Sequence, residues 1–211
     1  AGPATRFSGR TAVASWEPPS GADSPTVISV ASGQEGLRPA PATGDAVFLR
    51  NETMSWRADG PRTGRFLAAN ERSLVGVGFH LDEANLGEPG YALRVASPDF
   101  AAVTVSPLDE EPLVPSRRIL ITTGARMENT AQAWNAARTT VRRDWGQGPT
   151  RIEPVVARIG LPREGGRAAV LHALDGDGRP LKSWTLKPEA GQLNIDLPGD
   201  PATLWYLLEV E

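Results

Sequence analysis

The sequence predicts an all-β protein, a β-sandwich, from three observations. Short apolar or β-branched runs recur about ten residues apart, each bounded by Gly, Pro or Asp. Gly 22 and Pro 19 together make about a fifth of the 211 residues, against roughly 12% in an average protein, and supply the turns. No heptad and no amphipathic pattern of about 12 or more residues reads as a helix. The length suits one large all-β domain, or two packed β modules with a long ordered loop between them.

Taken in order, Pro18 to Pro25 breaks regular structure, Thr26–Val30 reads as a strand, and Gly33–Gly44 as a loop. Strands are then expected at Ala46–Leu49, Thr53–Arg57, Gly64–Ala68 and Leu74–Phe79, with a turn at Ala58-Asp59-Gly60-Pro61. Tyr91–Val95, Phe100–Val105 and Arg118–Thr123 follow. Asn129 to Gly148 has few β-branched residues. It reads as a long ordered loop packed across the sheets, closed by Asp144-Trp145-Gly146-Gln147-Gly148-Pro149, with a helical turn around Ala131–Ala137 as the alternative. Its two Trp each bury about 150–250 Å², enough to anchor it. Strands are expected again at Val155–Leu161, Ala168–Leu174, Leu181–Leu186, Gln192–Leu197 and Thr203–Val210. This organises the chain as an irregular segment 1–45, a β-sandwich module 46–149, and a small C-terminal β module 150–211 that is separate from or continuous with the second.

Composition narrows function. With 22 basic and 25 acidic residues the net charge is −3, which disfavours a nucleic-acid partner. There is no Cys, hence no disulfide framework, thiol nucleophile or thiolate metal site. Only His80 and His172 could serve a Ser-His-Asp triad, and neither has metal-ligand spacing. His80 reads as part of a charged loop behind a strand, His172 as a surface or satisfied sheet residue. No run of about 18 apolar residues predicts a membrane span. The chain starts at Ala1 without a basic-then-apolar leader, as expected of a processed product or a fragment.

Few constellations suggest chemistry. Asp175-Gly176-Asp177-Gly178 resembles a calcium loop, but Leu186 stands where the bidentate Glu belongs, so a hairpin turn is expected and no metal. Asp109, Glu110, Glu111, Glu128, Asp144 and Glu153 are the carboxylates weighed for a glycosidase-like pair, with Asp109-Glu110-Glu111 read as a solvated hairpin tip. No catalytic residue and no cofactor is assigned. The six Trp matter more, because sugars stack their apolar faces on aromatic rings. Trp56, Trp184 and Trp205 alternate within strands and are expected in the core; Trp16, beside two prolines, is ambiguous. Trp134, Asn135, Arg138 and Trp145 are the candidate carbohydrate-binding residues: flat rings, an amide and a forked cation in one irregular segment. The rival reading makes Trp134 a core plug and pairs the arginines with carboxylates.

From Val105 on, the residues follow a family pattern. Ser106-Pro107-Leu108-Asp109, Pro112-Leu113 and Ser116-Arg117-Arg118-Ile119-Leu120-Ile121-Thr122 resemble a Ser-Leu-Asp-Gly … Ser … Leu-Leu-Thr block. Arg126-Met127-Glu128-Asn129-Thr130, Trp134-Asn135, Trp145-Gly146, Gly148-Pro149-Thr150, Glu153, Ala173-Leu174-Asp175, Gly178-Arg179 and Thr203-Leu204-Trp205-Tyr206 continue it. Upstream, Thr53–Trp56, Gly64–Phe66 and Leu74–Phe79 fit the same region. Over residues 47–211 the chain resembles the C-terminal β-sandwich region that follows the (β/α)₈ catalytic barrel in bacterial glycoside hydrolases of the cellulase/β-galactosidase-like kind. Glu110 departs from the pattern by standing where a turn Gly is common.

The resemblance implies a non-catalytic accessory domain of a secreted or periplasmic glycoside hydrolase. Its implied partner is the catalytic (β/α)₈ barrel of the same parent protein, and polysaccharide binding is its second implied task. No βα alternation builds a barrel within this chain. The alternatives are a free-standing carbohydrate-binding module and a small β-sandwich polysaccharide hydrolase or lyase.

Overall fold

The computed structural model describes residues 54–60, 63–84, 90–141, 143–163 and 165–211, with the backbone of five short strands before them. Those five are β1 (Val13–Trp16), β2 (Ile28–Ser32), β3 (Glu35–Gly36), β4 (Arg38–Pro39) and β5 (Val47–Arg50). The breaker at Pro18–Pro25, Pro61 and the side chain of Trp16 lie outside the described residues. β1, β2 and β3 form a three-stranded sheet.

The remaining strands are β6 (Met54–Gly60), β7 (Thr63–Asn70), β8 (Ser73–Phe79), β9 (Asp82–Ala84), β10 (Ala92–Ser97), β11 (Phe100–Pro107) and β12 (Arg118–Gly124). They continue with β13 (Met127–Thr130), β14 (Gln147–Ile152), β15 (Val156–Pro162), β16 (Ala169–Leu174), β17 (Pro180–Leu186), β18 (Gln192–Leu197) and β19 (Trp205–Val210). No helix occurs among the described residues, including 131–137. A large sheet runs β17-β16-β19-β12-β11-β8-β7-β6-β5-β4, a small one β18-β15-β10-β9, and β13 pairs only with β14. The pairing is antiparallel.

Period-two alternation sets the core. Ala101, Val103 and Val105 of β11, Ile119 and Ile121 of β12, and Leu171 of β16 are fully buried on one face of the large sheet. Leu93, Ile159, Leu193 and Ile195 of the small sheet join them in one apolar cluster, consistent with a β-sandwich. Strands from both sides of residue 149 share both sheets: β15 pairs with β10, and β19 with β12. Gly76 of β8 permits close approach of the sheets, since a Cβ there would strike Leu93 Cδ2.

Arg163 is only 6% exposed and crosses to the β11–β12 loop, where Nη2 donates to the Ser116 carbonyl at 2.7 Å. The same loop does not form a wholly solvated tip. Glu110 and Glu111 are exposed, but Asp109 Oδ1 is buried and Oδ2 accepts the Arg117 amide at 2.9 Å. Burial alone would raise this carboxyl; hydrogen bonds from the Ser116 hydroxyl and neighbouring backbone N–H groups hold it below its ordinary value.

The tryptophans divide differently from expectation. Trp184 is half-buried against the core, with Lys182 Nζ 5.4 Å from its ring centroid. Trp205 is 39% exposed and is not a core residue. In β19 the inward positions are Tyr206 and Leu208, which leaves Trp205 on the outer face.

Candidate functional site

The segment expected to pack across the sheets is a hairpin instead. Its ends pair as β13 and β14, in register Met127↔Ile152, Glu128↔Arg151 and Asn129↔Thr150. Its loop closes mainly on itself. The Ala133 amide donates to the Asp144 carbonyl at 2.9 Å, and Asn129 Nδ2 donates to the Trp145 carbonyl at 2.9 Å. Thr150 Oγ1 donates to Asn129 Oδ1 at 2.8 Å. Gly146 sits at φ +67°, where a Cβ would run into the Thr130 carbonyl. Most loop residues are exposed; Val141 is buried but lies outside the core cluster. The apolar area of Trp134 is used within this arm and does not strap the sheets.

Glu128 is the hub of the arm. Its Oε2 accepts Trp134 Nε1 at 3.2 Å and Arg138 Nη2 at 2.8 Å, while Oε1 accepts Arg151 Nη2 at 2.7 Å. The Arg138 guanidinium lies 5.2 Å from the Trp134 ring centroid. The Arg138 hydrogen bond, then that of Trp134, then the two guanidinium charges hold the Glu128 carboxyl below its ordinary value, against the opposing effect of burial.

Of the four expected binding residues, Trp134 and Arg138 therefore meet. Asn135 turns to its own loop, where Oδ1 accepts the Thr139 amide at 2.8 Å and Nδ2 donates to Thr139 Oγ1 at 2.9 Å. Trp145 is 62% exposed on the same arm. Arg151 was not among the candidates; its role follows from standing directly across from Glu128, a relation that appears only once the register is known.

A second feature is the outer face of the large sheet. One cross-strand row runs Ala68↔Val75↔Thr104↔Thr122↔Trp205. The row beside it runs Phe66↔Val77↔Ala102. A third carries Ser106↔Leu120↔Leu207↔His172. None of these positions is Asp, Glu, Lys or Arg, and the pair Arg118–Glu209, 3.6 Å apart, stands at their border. Sheet faces exposed to water usually alternate to polar residues; this one mixes large apolar side chains with uncharged polar ones, Thr104 and Thr122 bonding each other at 2.6 Å.

The remaining candidates are turn and sheet residues. Asp175 Oδ1 accepts the Asp177 and Arg179 amides at 2.8 Å each, forming the expected hairpin turn between β16 and β17. His80 occupies a left-handed turn position, φ 51°, with its amide donating to the Asp99 carbonyl at 3.0 Å. His172 Nδ1 lies 2.7 Å from Ser183 Oγ, and Nε2 lies 3.4 Å from Glu209 Oε2. The three stand on adjacent strands β17, β16 and β19 and read as cross-strand pairing on an open face. Among the described residues no cluster of three or more His, Cys, Asp or Glu side chains is arranged to hold a metal ion. Among them too, no helix is long and apolar enough to cross a membrane.

No family model, curated protein or solved structure matches this chain.

Proposed function

We propose that the chain is a non-catalytic accessory β-sandwich module of a secreted or periplasmic glycoside hydrolase, docked on the catalytic (β/α)₈ barrel of its parent through the outer face of the large sheet. The observation that carries this reading is that face, poor in charge, on which Phe66, Val75, Val77, Leu120, Leu207 and Trp205 stand among Thr104, Thr122 and Ser106. Large apolar side chains gathered on a face with so little charge are a usual mark of a surface meant to be covered. The family resemblance of residues 47–211 supplies the identity of the cover. The intrinsic chemistry agrees: the arm's Glu128 is neutralised by two guanidinium groups, which suits anchoring and not acid catalysis.

The reading is tested by expressing the barrel encoded in the same reading frame with and without residues 1–211. The barrel's melting temperature is expected to fall by several degrees without them. A double substitution Val77→Lys and Leu120→Lys is expected to reproduce that fall, while the isolated module stays folded. A reading frame with no barrel, or a barrel indifferent to the module, overturns the proposal.

A second reading, a free-standing carbohydrate-binding module, is favoured by the exposed Trp145 ring. It expects retardation of the isolated chain in polysaccharide-containing gels, abolished by Trp145→Ala at unchanged melting temperature.

A further inference from the structure

The arm joins the sandwich beside an open cleft of about 460 Å³, within the ~300–1,000 Å³ range of ligand pockets. Phe79 and Phe100 are cross-strand partners on β8 and β11. Their rings meet edge to face, with centroids 5.1 Å apart and planes at 64°. Phe100 is 44% exposed. The β10–β11 turn brings Asp99, and the two ends of the arm bring Arg126 and Glu153. The Glu153 amide donates to the Arg126 carbonyl at 2.9 Å, which fixes these two side by side.

The charged side chains here are open to a ligand. Among the described residues, Asp99, Arg126 and Glu153 make no side-chain hydrogen bond or ion pair, although all three line one cleft. An open groove across the small sheet differs: its Arg158 pairs with Asp196 at 2.6 Å and its Arg94 with Asp82 at 3.4 Å. The first cleft thus holds unused donors and acceptors of both signs next to an exposed aromatic surface.

We propose that this cleft binds one sugar unit of a polysaccharide. Two carboxylates against one guanidinium disfavour an anion, and Arg126 disfavours a simple cation. A pyranose suits both signs, because each hydroxyl donates to a carboxylate and accepts from a guanidinium, while the ring's C–H face covers Phe100. The proposal deepens the accessory-module reading and rests on it for the choice of ligand. It places the sugar at the foot of the arm, in a cleft that neither Trp134 nor Trp145 lines.

The test is affinity electrophoresis of the 211-residue chain through gels holding hydroxyethylcellulose, arabinoxylan or galactomannan. Retardation is expected in at least one gel. It should weaken by about tenfold or more in Arg126→Ala and in Glu153→Gln, the loss expected for one charged hydrogen bond to a ligand. Neither side chain has a protein partner, so the melting temperature should stay within a degree or so of wild type. Phe100→Ala is expected to abolish retention and Trp145→Ala to leave it intact. Absence of retardation in all three gels overturns the proposal. So does retention that survives Arg126→Ala and Glu153→Gln, or that is lost in Trp145→Ala. A barrel stabilised by a module that retains no glycan would remove the cleft proposal alone and leave the docking reading standing.

Discussion

Glu128 serves three donors with two oxygens, and that arithmetic makes the arm sensitive to acid. Its carboxyl is held below the ordinary 4.5, so the folded arm favours the ionised form. The stabilisation is complete above about pH 4.5 and is lost as the pH falls through the lowered value. The indole N–H resonance of Trp134 is therefore expected to hold its position above that pH and shift below it. In Glu128→Gln the shift should vanish, which separates Glu128 from Asp109, whose carboxyl is lowered as well. Identical titrations in wild type and variant would show that the latch does not exist. The sequence marked Trp134 and Arg138 as one binding group, with arginine–carboxylate pairing as the rival, and marked Glu128 separately among the carboxylates. What joins them is register and loop closure, which no local pattern encodes.

At the scale of elements, legibility followed alternation. β8, β11, β12, β16 and β18 bury every second residue, and their apolar spacing is visible in the text. β13 and β14 read Met-Glu-Asn-Thr and Gln-Gly-Pro-Thr-Arg-Ile; neither buries a face, so neither carries the signal. Trp205 misled because alternation alone does not say which phase faces inward: Ile121 pairs with Tyr206, which places Trp205 outward with Thr122. The arm is a self-closed element, and its removal is a clean test. Replacing residues 131–146 with a two-residue turn between β13 and β14 is expected to leave the sandwich's thermal transition within a few degrees of wild type. A collapse of the transition would mean that the loop braces the sheets after all.

Across the whole molecule, the strand order departs from chain order, and this could not be read from the sequence. β19 lies between β16 and β12, so the last described strand is an internal member of the large sheet. It supplies Tyr206 and Leu208, both almost fully buried. Truncation before Trp205 would open two sheet edges and hollow the core. Leu→Ala changes in such cores already cost about 2–5 kcal/mol each. A chain lacking residues 205–211 is therefore expected to show no cooperative melting and little dispersion of its amide proton resonances. A cooperative melt would contradict the strand order.

That placement also bears on synthesis. A chain emerging from the ribosome presents β8, β11 and β12 long before β19, and the half-sheet must wait with an unpaired edge. Folding of this module is thus timed by release of β19. A nascent chain stalled with residues 205–210 still inside the exit tunnel is expected to be cut readily by protease, and one stalled on a longer tether to resist.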